Sequence, residues 1–153
     1  MRRFLFLFVF VLISNIAWCQ DHYPYQDIKL EKPADYKATQ SLALSAANFL
    51  LSSPFDEVDQ SRAAALQFVV KWMSGTKDYS FYMQGKVAQL GSDQNLLSIY
   101  IAAMVKYSLE NKAEAVNPLT VELNASKLAL AYCDDPKNNF KLKKRSRKIL
   151  ETN

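Results

Sequence analysis

The chain has one histidine, two cysteines and three glycines in 153 residues, and each scarcity removes a class of chemistry. His22 is the only imidazole, and Cys19 and Cys133 are the only thiols, so a multi-ligand zinc site cannot be assembled. A Ser-His-Asp triad or a His general base would have to use His22, which stands in a polar, proline-containing segment that reads as solvated. Three isolated glycines offer no Gly-rich loop to cradle a phosphate. From sequence, therefore, no catalytic residue, metal ligand or cofactor is assigned.

What is present begins with an address. Arg2 and Arg3 precede an unbroken apolar run from Phe4 to Ile13, and a short, more polar stretch follows to Cys19. This is the order of a secretory signal peptide. Ten apolar residues rise only about 15 Å as a helix, roughly half the hydrocarbon thickness of a bilayer, so a permanent span is not expected. Ala17-Trp18-Cys19 places small residues at −3 and −1 of a cut before Gln20, while Cys19 itself is the alternative, a lipoprotein cysteine; bulky Trp18 favours ordinary cleavage. The expectation is an exported protein, periplasmic or extracellular, with 1–19 as signal peptide. Its mature chain would keep only Cys133, so it would have no internal disulfide and would rely on its core for stability.

Residues 20–34 mix aromatics, charges and two prolines without a helical period and read as an extended arm. Residues 35–153 read as one helical domain. Leu42, Ala46, Phe49 and Leu50 mark a first helix from Asp35, its expected N-cap. Ser53 as N-cap and Pro54 at the first helical position predict a second, with Asp56, Glu57 and Asp59 in its opening turns and Ala65, Val69, Trp72 and Met73 on its buried stripe. Gly75 ends it.

Between Gly75 and Gly91 the helical period fails. Tyr79, Phe81 and Met83 alternate with polar neighbours or Tyr82, which predicts an extended connector followed by one helical turn over 84–90. A long helix capped by Ser92 or Asp93 follows to about Asn111, apolar over so wide an arc that it should be central. Asn117-Pro118 opens or kinks the next, with Val121, Ala125, Leu128 and Tyr132 on one stripe and Leu119, Leu123 and Leu130 on a neighbouring one. The final segment is a short basic amphipathic helix. The Trp, Gly and Pro markers of a 34-residue tetratricopeptide repeat are missing, so the expected fold is all-α, an irregular bundle of about five helices with one extended connector.

The stretches SPFDEVDQSRAAALQFVVKWMSGT and QNLLSIYIAAMVKYSLEN, with Phe68 and Trp72 four apart, resemble a family of small secreted all-helical proteins of Gram-negative bacteria with no assigned function. The resemblance covers roughly residues 35–150 and implies an exported helical fold. It implies no site residues.

Two surfaces are candidate contacts. The first is aromatic: Trp72, Tyr79, Phe81 and Tyr82 could stack on a glycan or receive a peptide strand if exposed, or close one end of the core if buried. The second is basic. Residues 137–153 carry seven Lys or Arg, Lys141, Lys144, Arg145 and Lys148 among them, against one Glu. In an envelope compartment this charge suits anionic lipid, a glycan or an acidic protein, and nucleic acid is not the expected partner. The functional expectation is a non-enzymatic binding module of the bacterial envelope. The alternative is a small hydrolase acting on carbohydrate or envelope material through carboxylates, for which Asp56, Asp59, Asp78 and Asp93 are the positions to consider.

Overall fold

The computed structural model describes residues 25, 27–82 and 84–152; the signal-peptide expectation, Cys19, His22 and Met83 lie outside them. Among the described residues the chain forms seven α-helices, α1 (Pro33–Ala38), α2 (Gln40–Ser52), α3 (Gln60–Gly75), α4 (Lys86–Leu90), α5 (Gln94–Glu110), α6 (Pro118–Asp134) and α7 (Lys144–Glu151), with a 3₁₀ turn at Pro136–Asn138 and no strand. The five longest correspond to the five expected, α4 is the single turn expected over 84–90, and the first expected helix is broken at Thr39 into α1 and α2. No described helix is long and apolar enough to cross a membrane.

The first helix starts at Pro33, where the missing N–H of proline costs nothing. Asp35 is therefore inside the first turn and not the N-cap. Its carboxylate accepts the backbone N–H of Lys32 at 2.8 Å and of Glu31 at 3.0 Å, and these bonds hold it below the usual carboxylate range. The described part of the arm is also more closely held than its composition predicts: Tyr25 stacks on Phe68 with centroids 5.2 Å apart, and Leu30 is buried.

The start of α3 corrects a second expectation. Ser53 and Pro54 do not open it; residues 53–59 form a loop, and Asp59 is the N-cap, its Oδ1 accepting from Ser61 N at 2.7 Å and Arg62 N at 3.4 Å. Asp56 accepts the N–H of Val58 at 3.0 Å, a local turn that keeps the chain out of the helix. Because Thr76 is the C-cap, Gly75 is the last residue of α3 and not the expected C′ stop. Its missing Cβ leaves room for the Tyr36 ring, which a methyl group would strike.

Helix α5 is the centre. Ile101, Ala102, Val105 and Leu109 face a first core made with α2 and α3, in which Ala43, Ala46, Ala47, Leu50, Ala65, Phe68, Val69 and Trp72 are buried. Leu96, Ile99, Tyr100, Ala103 and Met104 face a second core with Val121, Ala125, Ala129 and Tyr132 of α6 and Leu150 of α7. Alanines on the facing helices let the backbones approach closely, which is how a chain of this size buries two layers around one helix.

The connector runs extended with Tyr79 and Phe81 turned inward against both cores and Ser80 and Tyr82 exposed. The alternation seen in sequence thus describes a packed strap and not a paired strand. Gly85, at the entrance to α4, has φ +61°, a conformation that L side chains rarely adopt.

Candidate functional site

The aromatic group divides. Trp72 is fully buried and donates from Nε1 to the Tyr36 carbonyl at 2.8 Å. Tyr79 and Phe81 lean on it with centroids 5.9 and 6.5 Å away. Burial raises the hydroxyl pKa of Tyr79, with the charge of Asp78 adding to it. As a contact residue Trp72 is therefore corrected to core closure; Tyr79 and Phe81 are half-buried against the cores, Tyr79 also bordering the cleft at Asp78, and Tyr82 is exposed, at 45 %. A large apolar ring beside helices gains more from burial than from waiting for a ligand.

Of the carboxylates considered for hydrolysis, three lie around two adjoining clefts and Asp78 stands apart. Asp56 and Asp93 border one cleft of about 630 Å³ with Phe55, Phe140, Lys141 and Lys143, Asp56 and Asp59 border an adjoining cleft, and Asp78 lines a third beside Lys112. Each has a structural partner. Asp59 caps α3, Asp56 makes the Val58 turn, Asp78 accepts from Gln40 Nε2 at 3.0 Å, and Glu57 accepts from Asn95. Asp93 occupies the N-cap position of α5, yet its side chain makes no cap bond; buried to 8 % exposure, it accepts from Ser146 Oγ at 2.6 Å and pairs with Lys143 Nζ at 3.6 Å. It fastens α7 to the body. Among the described residues no group of three His, Cys, Asp or Glu side chains is arranged to hold a metal ion.

The basic residues stand on the surface in an ordered way. Ser146 and Leu150 are the buried positions of α7. At about 100° per residue, Lys144, Arg145 and Lys148 occupy the arc opposite them. All three are exposed, and none makes an ion pair within the described residues. Arg147, by contrast, is bonded to Asp134 and pairs with Glu151 at 3.6 Å. Those carboxylates raise its pKa, led by the Asp134 hydrogen bond, and the same contact lowers that of Asp134. Lys141 is exposed in the loop before α7 and borders the Phe140 cleft.

Sequence reading missed Lys86. It opens α4, is only 7 % exposed, and donates from Nζ to Ser126 Oγ at 3.0 Å and to the Leu150 carbonyl at 3.4 Å. Desolvation lowers its pKa, and the charge of Glu122 opposes that shift. Glu122 Oε1 accepts the Lys86 backbone N–H at 3.2 Å. These groups stand beside a pocket of about 430 Å³ between α4, α6 and α7, whose apolar lining is Leu119, Leu123 and Ile149. The one available signal was the second apolar stripe of α6: Leu119 and Leu123 are 70 % and 38 % exposed, whereas Leu130 packs on the second core.

No family model matches the chain, and no curated protein or solved structure matches it.

Proposed function

We propose that the protein is an exported, non-enzymatic binding module of the bacterial envelope whose C-terminal helix engages anionic lipid. The observation that carries this reading is the division of charge on α7, with Arg147 neutralised against the body and Lys144, Arg145 and Lys148 directed away from it without acidic partners. A cation used only to secure the helix would be paired as Arg147 is. The leader-like start of the sequence and its resemblance to small secreted helical proteins support the compartment, and an anionic bilayer surface is the partner that accepts several unpaired cations at once. Asp56 and Asp93 border one cleft, but Asp56 holds the Val58 turn and Asp93 bonds Ser146 and pairs with Lys143, which favours structural work for both over a carboxylate hydrolase.

Each Lys or Arg near such a surface contributes about 1 kcal/mol, so three supply about 3 kcal/mol, a factor of roughly a hundred in binding. Sedimentation with phosphatidylglycerol vesicles tests this directly. The wild-type chain should sediment at low salt and be released at about 1 M salt, where the Debye length is about 3 Å. The K144E/R145E/K148E variant should stay in solution. Sedimentation of that variant at the wild-type level would refute the reading.

A further inference from the structure

We infer that the pocket between α4, α6 and α7 binds a single-chain amphiphile with an anionic head, its alkyl chain against Leu119, Leu123 and Ile149 and its head at Lys86. This goes beyond the vesicle-binding surface, because the pocket holds one molecule and its determinants are not the exposed arc of α7.

Three observations converge. The first is an apolar surface that the fold leaves uncovered: Leu119 and Leu123 project from the first turns of α6 at 70 % and 38 % exposure. A helix in a small domain with an intact core does not need these side chains for its own packing. Secondly, the surface is concave. With Ile149 of α7 it walls a space of about 430 Å³, within the range of about 300–1,000 Å³ usual for small-ligand sites.

The third is a buried lysine of the pocket wall that makes no direct ion pair, with Glu122 acting on it only through space. Lys86 is nine-tenths buried and makes no ion pair within the described residues; its two Nζ bonds go to a hydroxyl and a carbonyl, and an ammonium has three donors. A desolvated cation with one donor to spare is complementary to a carboxylate or similar head group. Glu122 is the acidic side chain in the wall, and its Oε1 is occupied by the Lys86 backbone N–H. Its charge disfavours an anion on the α6 side and turns the head toward α7.

Calorimetric titration of the wild-type chain with dodecanoate below its micelle concentration should give saturable binding of one molecule per chain. Dodecyltrimethylammonium, with the same chain and the opposite charge, should bind at least tenfold more weakly. Leu123→Asp places a charge on a partly exposed wall residue and should abolish uptake while leaving the circular dichroism and unfolding midpoint close to wild type. Lys86→Met keeps the aliphatic stem and should weaken dodecanoate about tenfold without weakening the cationic amphiphile. No saturable uptake by the wild type, undiminished uptake by Leu123→Asp, or equal affinity for the two head groups would overturn the inference. Sedimentation with vesicles separates the two proposals. A wild type that sediments but takes up no dodecanoate refutes the pocket alone, and saturable uptake by a K144E/R145E/K148E protein that fails to sediment supports it independently of α7.

Discussion

Arg62→Met should destabilise the protein by about 3–5 kcal/mol, although Arg62 makes no salt bridge. Arg62 is 5 % exposed on α3. Its Nη1 donates to Ser53 Oγ at 2.6 Å, the Ser53 carbonyl at 3.1 Å and the Pro54 carbonyl at 3.3 Å, and its Nη2 to the Leu50 carbonyl at 3.0 Å. The last bond is the most consequential. Leu50 lies near the C-terminus of α2, and its helical donor would be residue 54, a proline with no N–H to give. Arg62 supplies that donor and places a positive charge at the negative end of the helix.

The charge is also covered by rings, the Arg62 Cζ lying 5.4 Å from the Phe55 centroid and 6.0 Å from that of Tyr132. A bond from a charged donor contributes about 1.5–3 kcal/mol and an orphaned buried carbonyl costs about 1–3 kcal/mol, but bonds of one guanidinium do not add independently. The Ser53 carbonyl keeps a second donor, Tyr132 Oη at 2.9 Å, which limits the loss. Urea denaturation followed by circular dichroism measures the change. For a domain of this size the melting temperature should fall by about 10–20 °C. Arg62→Lys, which retains the charge but not the fork, should lie between the two. An Arg62→Met protein within about 1 kcal/mol of wild type, the ordinary size of an unspecific substitution, would refute this account of how α2 ends.

Trp72→Ala should remove about 3–5 kcal/mol by opening a cavity in the first core, whereas Trp72→Phe should lose mainly the bond to the Tyr36 carbonyl, about 1–3 kcal/mol; urea titration distinguishes them, and a fully stable Trp72→Ala protein would contradict the assignment of this ring to the core. Burial, reinforced by the charge of Asp134, pushes the Cys133 thiol up to about 12. The native protein should therefore resist alkylation at pH 9 and react promptly in urea. The folded chain retains this proton where the unfolded chain loses it, so the thiol's contribution is fully present below the unfolded pKa and declines from about pH 9 to about 12, a slope that Cys133→Ala should lack.

Periodicity disclosed the main helices because burial on α2, α3, α5 and α6 recurs at helical spacing, and the wide apolar arc of α5 did indicate its central place. Helix starts were less legible. Ser53-Pro54 has the composition of an N-terminus, but its carbonyls and hydroxyl serve Arg62, nine residues away in sequence, while Asp59 takes the cap. Asp93 had the composition of a cap and is spent on Ser146, 53 residues distant. Such exchanges depend on tertiary neighbours that local pattern does not contain. The same holds for the pocket: Leu119 and Leu123 could be placed on a stripe, but that α4 would bring Lys86 beside them and leave the stripe uncovered follows only from how α4, α6 and α7 meet.

Ala102 and Ala103 are adjacent, fully buried, and turned to opposite cores. Any larger side chain at either position must separate α5 from one set of neighbours, and neither position offers a solvent-facing escape. In a set of diverged sequences this pair should vary least while taking part in no reaction and touching no ligand. Invariance there would report the spacing of helices, and a search for chemistry guided by the most constant positions would be led to the dry interior of the molecule, away from Lys86 and the surface of α7.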